Sequence, residues 1–193
     1  VAEAAGDWLL FLDADDLILS QHLEKLLGWL AGNPNLDAVV SGWARLAQGG
    51  ELIQVKQSSL PEEPFRVLAQ YSPFPIHACL VRRALVIAVG GWDPSFTTCE
   101  EWDLWLRIAR SGARFGAISE VTALYRMSIS SASLDGQQML LDGLRVLALA
   151  STADSRVPNA DPRYREGLTG MDLTPRRYYF MSWCAGLELG RGK

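Results

Sequence analysis

The sequence predicts an α/β fold, a mixed sheet flanked by helices and followed by a helical tail, and three observations carry that prediction. The apolar run Trp8-Leu9-Leu10-Phe11-Leu12, bounded by Gly6-Asp7 and Asp13, has the length and uniform hydrophobicity of a strand covered on both faces. Leu23, Leu26, Leu27 and Leu30 then recur at helical spacing behind Ser20 as N-cap, with Gly32-Asn33-Pro34 as the stop. Residues Ala38 to Trp43 read as the next strand, which closes a right-handed β-α-β unit.

From Ala44 to Pro75 the pattern weakens into turns and short pieces, where an α/β enzyme carries its substrate loops. Gly90-Gly91-Trp92-Asp93-Pro94 is a turn signal leading into a helix from Glu100 to Arg110, stopped by Gly112. Arg114 to Ile118 and Val121 to Tyr125 read as two short strands, and Leu134 to Ala150 as a long helix. A Pro/Asn/Asp-rich link then runs to Asp172. Thr174 as N-cap and Pro175 at the first helical position open the last helix, with Phe180, Trp183, Cys184 and Leu187 on one face. The expected division is a catalytic portion over residues 1–133 and a helical C-terminal extension over 134–193.

Composition narrows the function classes. At 193 residues, 49% hydrophobic and 21% charged, the chain buries roughly 70% of its unfolded surface, which excludes a disordered or collagen-like chain and a disulfide miniprotein. A net charge of −4 and an isoelectric point near 5.2 oppose the broad electropositive face that nucleic-acid binding needs. Cys79, Cys99 and Cys184 are odd in number and lack CxxC spacing, so a reduced, cytoplasmic chain without structural zinc is expected. No apolar run reaches the ~20 residues of a membrane span, and no secretory leader is visible. Because the chain opens on Val1 and enters a strand almost at once, it reads as the downstream part of a longer reading frame.

Asp13-Ala14-Asp15-Asp16 stands where the first strand ends, the place at which open α/β sheets bind ligands. Carboxylates two apart there offer hard oxygen ligands to Mg²⁺ or Mn²⁺, which in turn hold a diphosphate. The triplet Asp-x-Asp recurs by chance about once in such a composition, so the alternative of a polar strand end with Asp16 capping a turn stays open. The second candidate is Glu100-Glu101. Leu104, Trp105 and Ile108 define a buried stripe that Glu101 extends backwards, so its carboxylate faces the interior or a cleft, where lost solvation raises its pKa toward that of a general base. The competing reading is that both glutamates complement the helix dipole. Asp103, in register with Arg107 and Arg110, is expected to make ordinary surface pairs.

Trp102, off the main stripe, is the better ligand contact of the local tryptophans, Trp105 the better core residue. Arg126 at a strand end can clamp a diphosphate bidentately or simply be solvated. His77 lies in a loop where a substrate can reach it, and His22 in an exposed first helical turn. The aromatic stripe of the last helix, flanked by Arg176, Arg177, Arg191 and Lys193, either packs on the domain or docks on a membrane or partner.

In chain order, GDWLLFLDADD, GGWDPSF, CEEWDLWLRIARSG and ALYRMSISSAS resemble the second half of family-2 inverting glycosyltransferases with the GT-A fold, over about residues 1–133. The resemblance implies transfer of a sugar, with inversion, from a nucleoside-diphosphate-sugar donor to a hydroxyl of a saccharide, lipid-linked or protein acceptor. It implies Mn²⁺ or Mg²⁺ on Asp15 with Asp13 toward the nucleoside side, and Glu101 as catalytic base; with the candidates read from the residues themselves, Arg126 is expected at the diphosphate, and Glu100, Trp102 and His77 at the acceptor. Peripheral membrane contact fits such an acceptor. Three departures stand out: Glu-Glu replaces the family's usual Glu-Asp, Ser128 occupies the place of a histidine after Tyr125-Arg126, and the family's opening strands would precede Val1. Two rivals are a non-catalytic α/β module and a haloacid-dehalogenase-type phosphatase. The latter wants Thr or Val where Asp16 stands.

Overall fold

A computed structural model of the chain describes residues 1–128 and 131–190. The strands are β1 (Trp8–Leu10), β2 (Leu17–Ile18), β3 (Ala38–Leu46), β4 (Leu52–Lys56), β5 (Cys79–Arg82) and β6 (Phe115–Arg126). The helices are α1 (His22–Gly32), α2 (Pro64–Leu68), α3 (Arg83–Ala88), α4 (Glu100–Arg110), α5 (Gly136–Ala150) and α6 (Thr174–Gly190). The sheet runs β1-β5-β3-β6-β2 with β4 also on β3, and only the β3–β6 pairing is parallel.

β1 is shorter than its apolar run and lies at the sheet edge, separated from β3 by the antiparallel β5. Its side chains still alternate between two cores: Leu9 enters the main cluster, while Trp8 and Leu10 pack on Leu26, Leu30, Val39, Leu80 and Ile118. Phe11 and Leu12 leave the strand, and Leu12 is exposed. The two strands expected between Arg114 and Tyr125 are one. β6 bends opposite Gly42, where a Cβ would stand 2.7 Å from the Ser119 carbonyl oxygen, and the β3–β6 register shifts on both sides of that glycine.

α1 turns a different face inward from the one its leucines suggest. His22, Leu26 and Leu30 are buried, whereas Leu23 and Leu27 face solvent. Gln21, not Ser20, occupies its N-cap position, and the Ser20 hydroxyl donates to the Gln21 side chain. His22, expected in the open, is fully enclosed, its Nδ1 2.7 Å from Thr122 Oγ1. Burial first, then the nearby His77, lowers its pKa to about 4, so it stays neutral.

α4 forms where expected and is the spine of the core: every residue from Trp102 to Arg110 is buried. The pairing expected at its surface is therefore internal. Arg107 Nε donates to Asp103 Oδ2 at 2.9 Å, and Arg156 Nη2 donates to Asp103 Oδ1 at 2.8 Å. Arg110 does not join them; its guanidinium donates to the carbonyls of Leu149, Thr152 and Tyr164. Val146, Leu147 and Ala150 of α5, with Tyr164, Leu168 and Leu173 beyond it, pack in the same core as α4. α5 begins behind Asp135, whose carboxylate accepts from the Gln138 amide. In α6 Cys184 is buried and Phe180 half-buried, but Trp183 of the predicted stripe is exposed; the flanking Arg191 and Lys193 lie outside the described residues. Among the described residues no helix is long and apolar enough to cross a membrane.

Candidate active site

The carboxyl ends of β1, β3 and β6, the start of α4 and one side of α6 surround a cleft of about 780 Å³. Asp13, Asp15, Asp16, Glu100 and Glu101 all line it, so the two acidic motifs read from sequence meet in space. The turn after β1 is closed by the Asp16 amide donating to the Asp13 carbonyl at 3.1 Å. Asp16 anchors that turn: its Oδ1 accepts the Arg126 amide at 2.8 Å and its Oδ2 lies 2.9 Å from His77 Nδ1. The remaining two aspartates are left toward the cleft. Burial, then the charges of Asp16 and Asp15, raises the pKa of Asp13, the signature of crowded negative charge that a cation would relieve.

Glu101 shows part of its surface to the cleft while its carboxyl is enclosed by protein. Burial, then Glu100, Asp13 and Asp16, pushes that carboxyl up to about 7. Glu100 is raised as well, chiefly by burial. Their placement depends on Cys99, which precedes α4 with φ 58°, a left-handed conformation that costs a non-glycine residue about 1 kcal/mol. Asp142 of α5 holds this turn by accepting from the Thr97 amide, the Thr98 amide and the Thr98 hydroxyl at 3.2, 2.9 and 3.0 Å. Burial works against the Asp142 charge, yet these bonds and one from Gln138 outweigh it and hold its carboxyl below the usual range.

Some predicted site residues lie elsewhere. His77 is fully buried beneath Asp16, and neither it nor Arg126 is among the described residues lining the cleft. Arg126 serves the site through its backbone amide. Trp102 lines the cleft but is only 4% exposed, its indole N–H committed to the Leu68 carbonyl at 2.6 Å. The cations that do line it are Arg45 and Lys56. Arg45 lies 5.6 Å from the Trp43 ring and 5.7 Å from the Tyr125 ring, and among the described residues no carboxylate pairs with it. Trp43 and Arg45, two apart at the end of a strand, share a face by strand period, so the sequence held a signal for this cation.

No three His, Cys, Asp or Glu side chains among the described residues converge as a metal ligand set. Asp13 and Asp15 nonetheless suit Mg²⁺ or Mn²⁺, which are commonly held by one or two carboxylates with substrate phosphates and water completing the shell.

The cleft thus joins the acidic turn after an apolar strand to a second acidic pair at the start of a buried helix. The chain belongs to the family described as "Glycosyltransferase like family 2", which matches residues 1–146. It is 22% identical over 127 residues to an uncharacterized glycosyltransferase of Methanocaldococcus jannaschii, covering 64% of this chain and 43% of that protein. It is 26% identical over 105 residues to an uncharacterized glycosyltransferase of Haemophilus influenzae, covering 53% and 36%. Among solved structures it resembles the mannosyltransferase PcManGT from Pyrobaculum calidifontis in complex with GDP-Man and Mn²⁺, with TM-score 0.56, 18% identity and coverage of 99% and 52%. It also resembles S. aureus TarS in complex with UDP, with TM-score 0.53, 15% identity and coverage of 95% and 47%. The fold is thus that of GT-A glycosyltransferases, and the chain spans about half the length of these proteins or less.

Proposed function

We propose that this chain carries the catalytic half of a metal-assisted, inverting glycosyltransferase that moves a sugar from a nucleoside diphosphate to an acceptor hydroxyl. The observation that supports it best is the enclosed Glu101 carboxyl, raised to about 7 in the cleft that Asp13 and Asp15 also line. In this reading residues 1–133 supply the donor site and the base, and residues 134–193 form an extension that braces them. Mn²⁺ or Mg²⁺, when bound with the donor, supplies Lewis-acid neutralisation of the leaving diphosphate. Asp13 and Asp15 would hold that ion, and Arg45 adds a fixed positive charge to the cleft wall. Glu101 accepts the proton of the attacking hydroxyl as the new bond to the anomeric carbon forms. The old bond's electron pair leaves with the nucleoside diphosphate, so no covalent intermediate is needed. Glu100 and Trp102 shape the acceptor end.

The reading extends to a reducing, cytoplasmic setting, in keeping with Cys79, Cys99 and Cys184 buried as free thiols. Calorimetric titration with uridine, guanosine, thymidine and cytidine diphosphates, with and without Mn²⁺, tests the donor site. Metal-dependent binding that disappears in Asp15→Ala is expected. Binding indifferent to both metal and Asp15 would remove the proposal.

A further inference from the structure

α6 lies beyond the matched family region, which ends at residue 146, yet Tyr179, Phe180 and Trp183 of this helix line the catalytic cleft. The ring of Trp102, next to Glu101 in sequence, meets Phe180 at a centroid distance of 5.8 Å, and Phe180 meets Trp183 at 5.7 Å. A chain of ring contacts therefore runs from Trp102 through Phe180 to Trp183. Its inner members are occupied: Trp102 is buried and Phe180 half-buried. Its outer members are not, for Tyr179 is 67% exposed, Trp183 41% and Tyr71, across the cleft, 45%. Ser72, Ser131 and Ser133 line the same cleft.

We infer that Trp183 and Tyr179 form a saccharide subsite at which a sugar ring of the acceptor stacks, and that the extension thereby sets acceptor specificity. The inference rests on the sugar-transfer reading of the cleft. Flat apolar faces in a cleft that hydroxyls also line match a pyranose, which presents C–H groups on its faces and hydroxyls at its rim; a lipid chain would call for an unbroken apolar trough. The helix is held firmly enough to serve as a wall. Phe180 sits directly over Gly143 of α5, where any Cβ would collide with its ring, and Glu188 Oε1 accepts the Gly136 amide at 2.8 Å. Arg176 at the start of α6 lies over the Tyr71 ring at 5.5 Å, which ties the helix to the segment before Pro73.

Saturation-transfer NMR with cellobiose, lactose, mannobiose and diacetylchitobiose, run on the chain and its variants, tests the subsite. At least one disaccharide is expected to bind, with affinity about tenfold weaker in Trp183→Ala and in Tyr179→Ala and restored in Trp183→Phe. Gly143→Leu, which pushes Phe180 aside while leaving both outer rings present, should weaken binding similarly. Absence of binding by every disaccharide, affinity indifferent to Trp183 and Tyr179, or binding to phosphatidylglycerol vesicles in place of saccharides would each overturn the inference. Nucleoside diphosphate binding is measured on the same samples. A chain that binds nucleotide but no saccharide loses the subsite and keeps the transfer reading, whereas saccharide binding through Trp183 without nucleotide binding supports the subsite and removes that reading.

Discussion

Two side chains in the cleft carry opposite unbalanced tendencies, and each makes a separate prediction. The enclosed Glu101 carboxyl is raised from 4.5 to about 7, so the folded chain holds its proton where the unfolded chain has released it. The favourable contribution of that proton is complete below about 4.5 and is lost as pH climbs through about 7. Glu101→Gln should therefore abolish transfer while stabilising the protein by up to about 3 kcal/mol at pH 8, with little gain at pH 4. Urea denaturation at the two pH values checks this, and the rate of the unsubstituted chain should rise with pH on a limb centred near 7. Arg45 is the opposite case, a half-buried guanidinium between two rings with no carboxylate to pair it among the described residues. Arg45→Ala should weaken diphosphate binding about 10- to 100-fold, the scale of one charge-assisted hydrogen bond, while Arg126→Lys, which preserves the amide that Asp16 accepts, changes it little. Calorimetry that finds Arg126 the more sensitive of the two would restore the assignment read from sequence.

At the scale of elements, the acidic pair is delivered by α4, and α4 is aimed by a turn that α5 holds. Asp142→Ala removes the acceptor of two amides and a hydroxyl, at a cost of about 1–3 kcal/mol, and frees the strained Cys99 to relax. Turnover should fall with nucleotide affinity nearly intact, because the Asp13–Asp15 end of the cleft is anchored separately through Asp16; a matched loss of both would show that the two ends move together. The same elements explain what the sequence disclosed. α4 was legible because its turn signal, Gly112 stop and apolar stripe agree, and Glu101 could be placed from that stripe alone. The phase of α1 was not, since Leu23, Leu26, Leu27 and Leu30 fit two faces equally and only contact with β3, β5 and β6 selects one. β6 appeared as two strands because its bend answers Gly42, a residue distant in sequence. Asp103 with Arg107 looked like a surface pair because i, i+4 spacing is the same in water and in a core. What decided those cases was the packing of other segments, which local periodicity does not contain.

Over the whole molecule, the residues that follow the matched family region are built into the support of the site. Arg156, in the link between α5 and α6, bonds Asp93, Asp103 and Asp154 at 2.7–2.8 Å, and it supplies the second cation for a buried Asp103 that Arg107 shares. Arg110 of α4 donates to the Leu149, Thr152, Tyr164 and Arg165 carbonyls. Removing one side of such an arrangement leaves charge enclosed without compensation, so Arg156→Ala should destabilise the fold by about 3–5 kcal/mol, far beyond an exposed pair such as Lys25 with Glu120. A chain ended at Ala150 loses more: the Thr152 and Tyr164 carbonyls that Arg110 bonds, the Arg156 partner of Asp103 and the core side chains of Tyr164, Leu168 and Leu173 all go with it. It should show no cooperative thermal transition by circular dichroism, although the whole of the matched family region remains. A shortened chain that melted as sharply and as late as the full one would mean that α4 is stable without the extension, and with it would fall the view that residues 151–190 hold Glu100 and Glu101 in place.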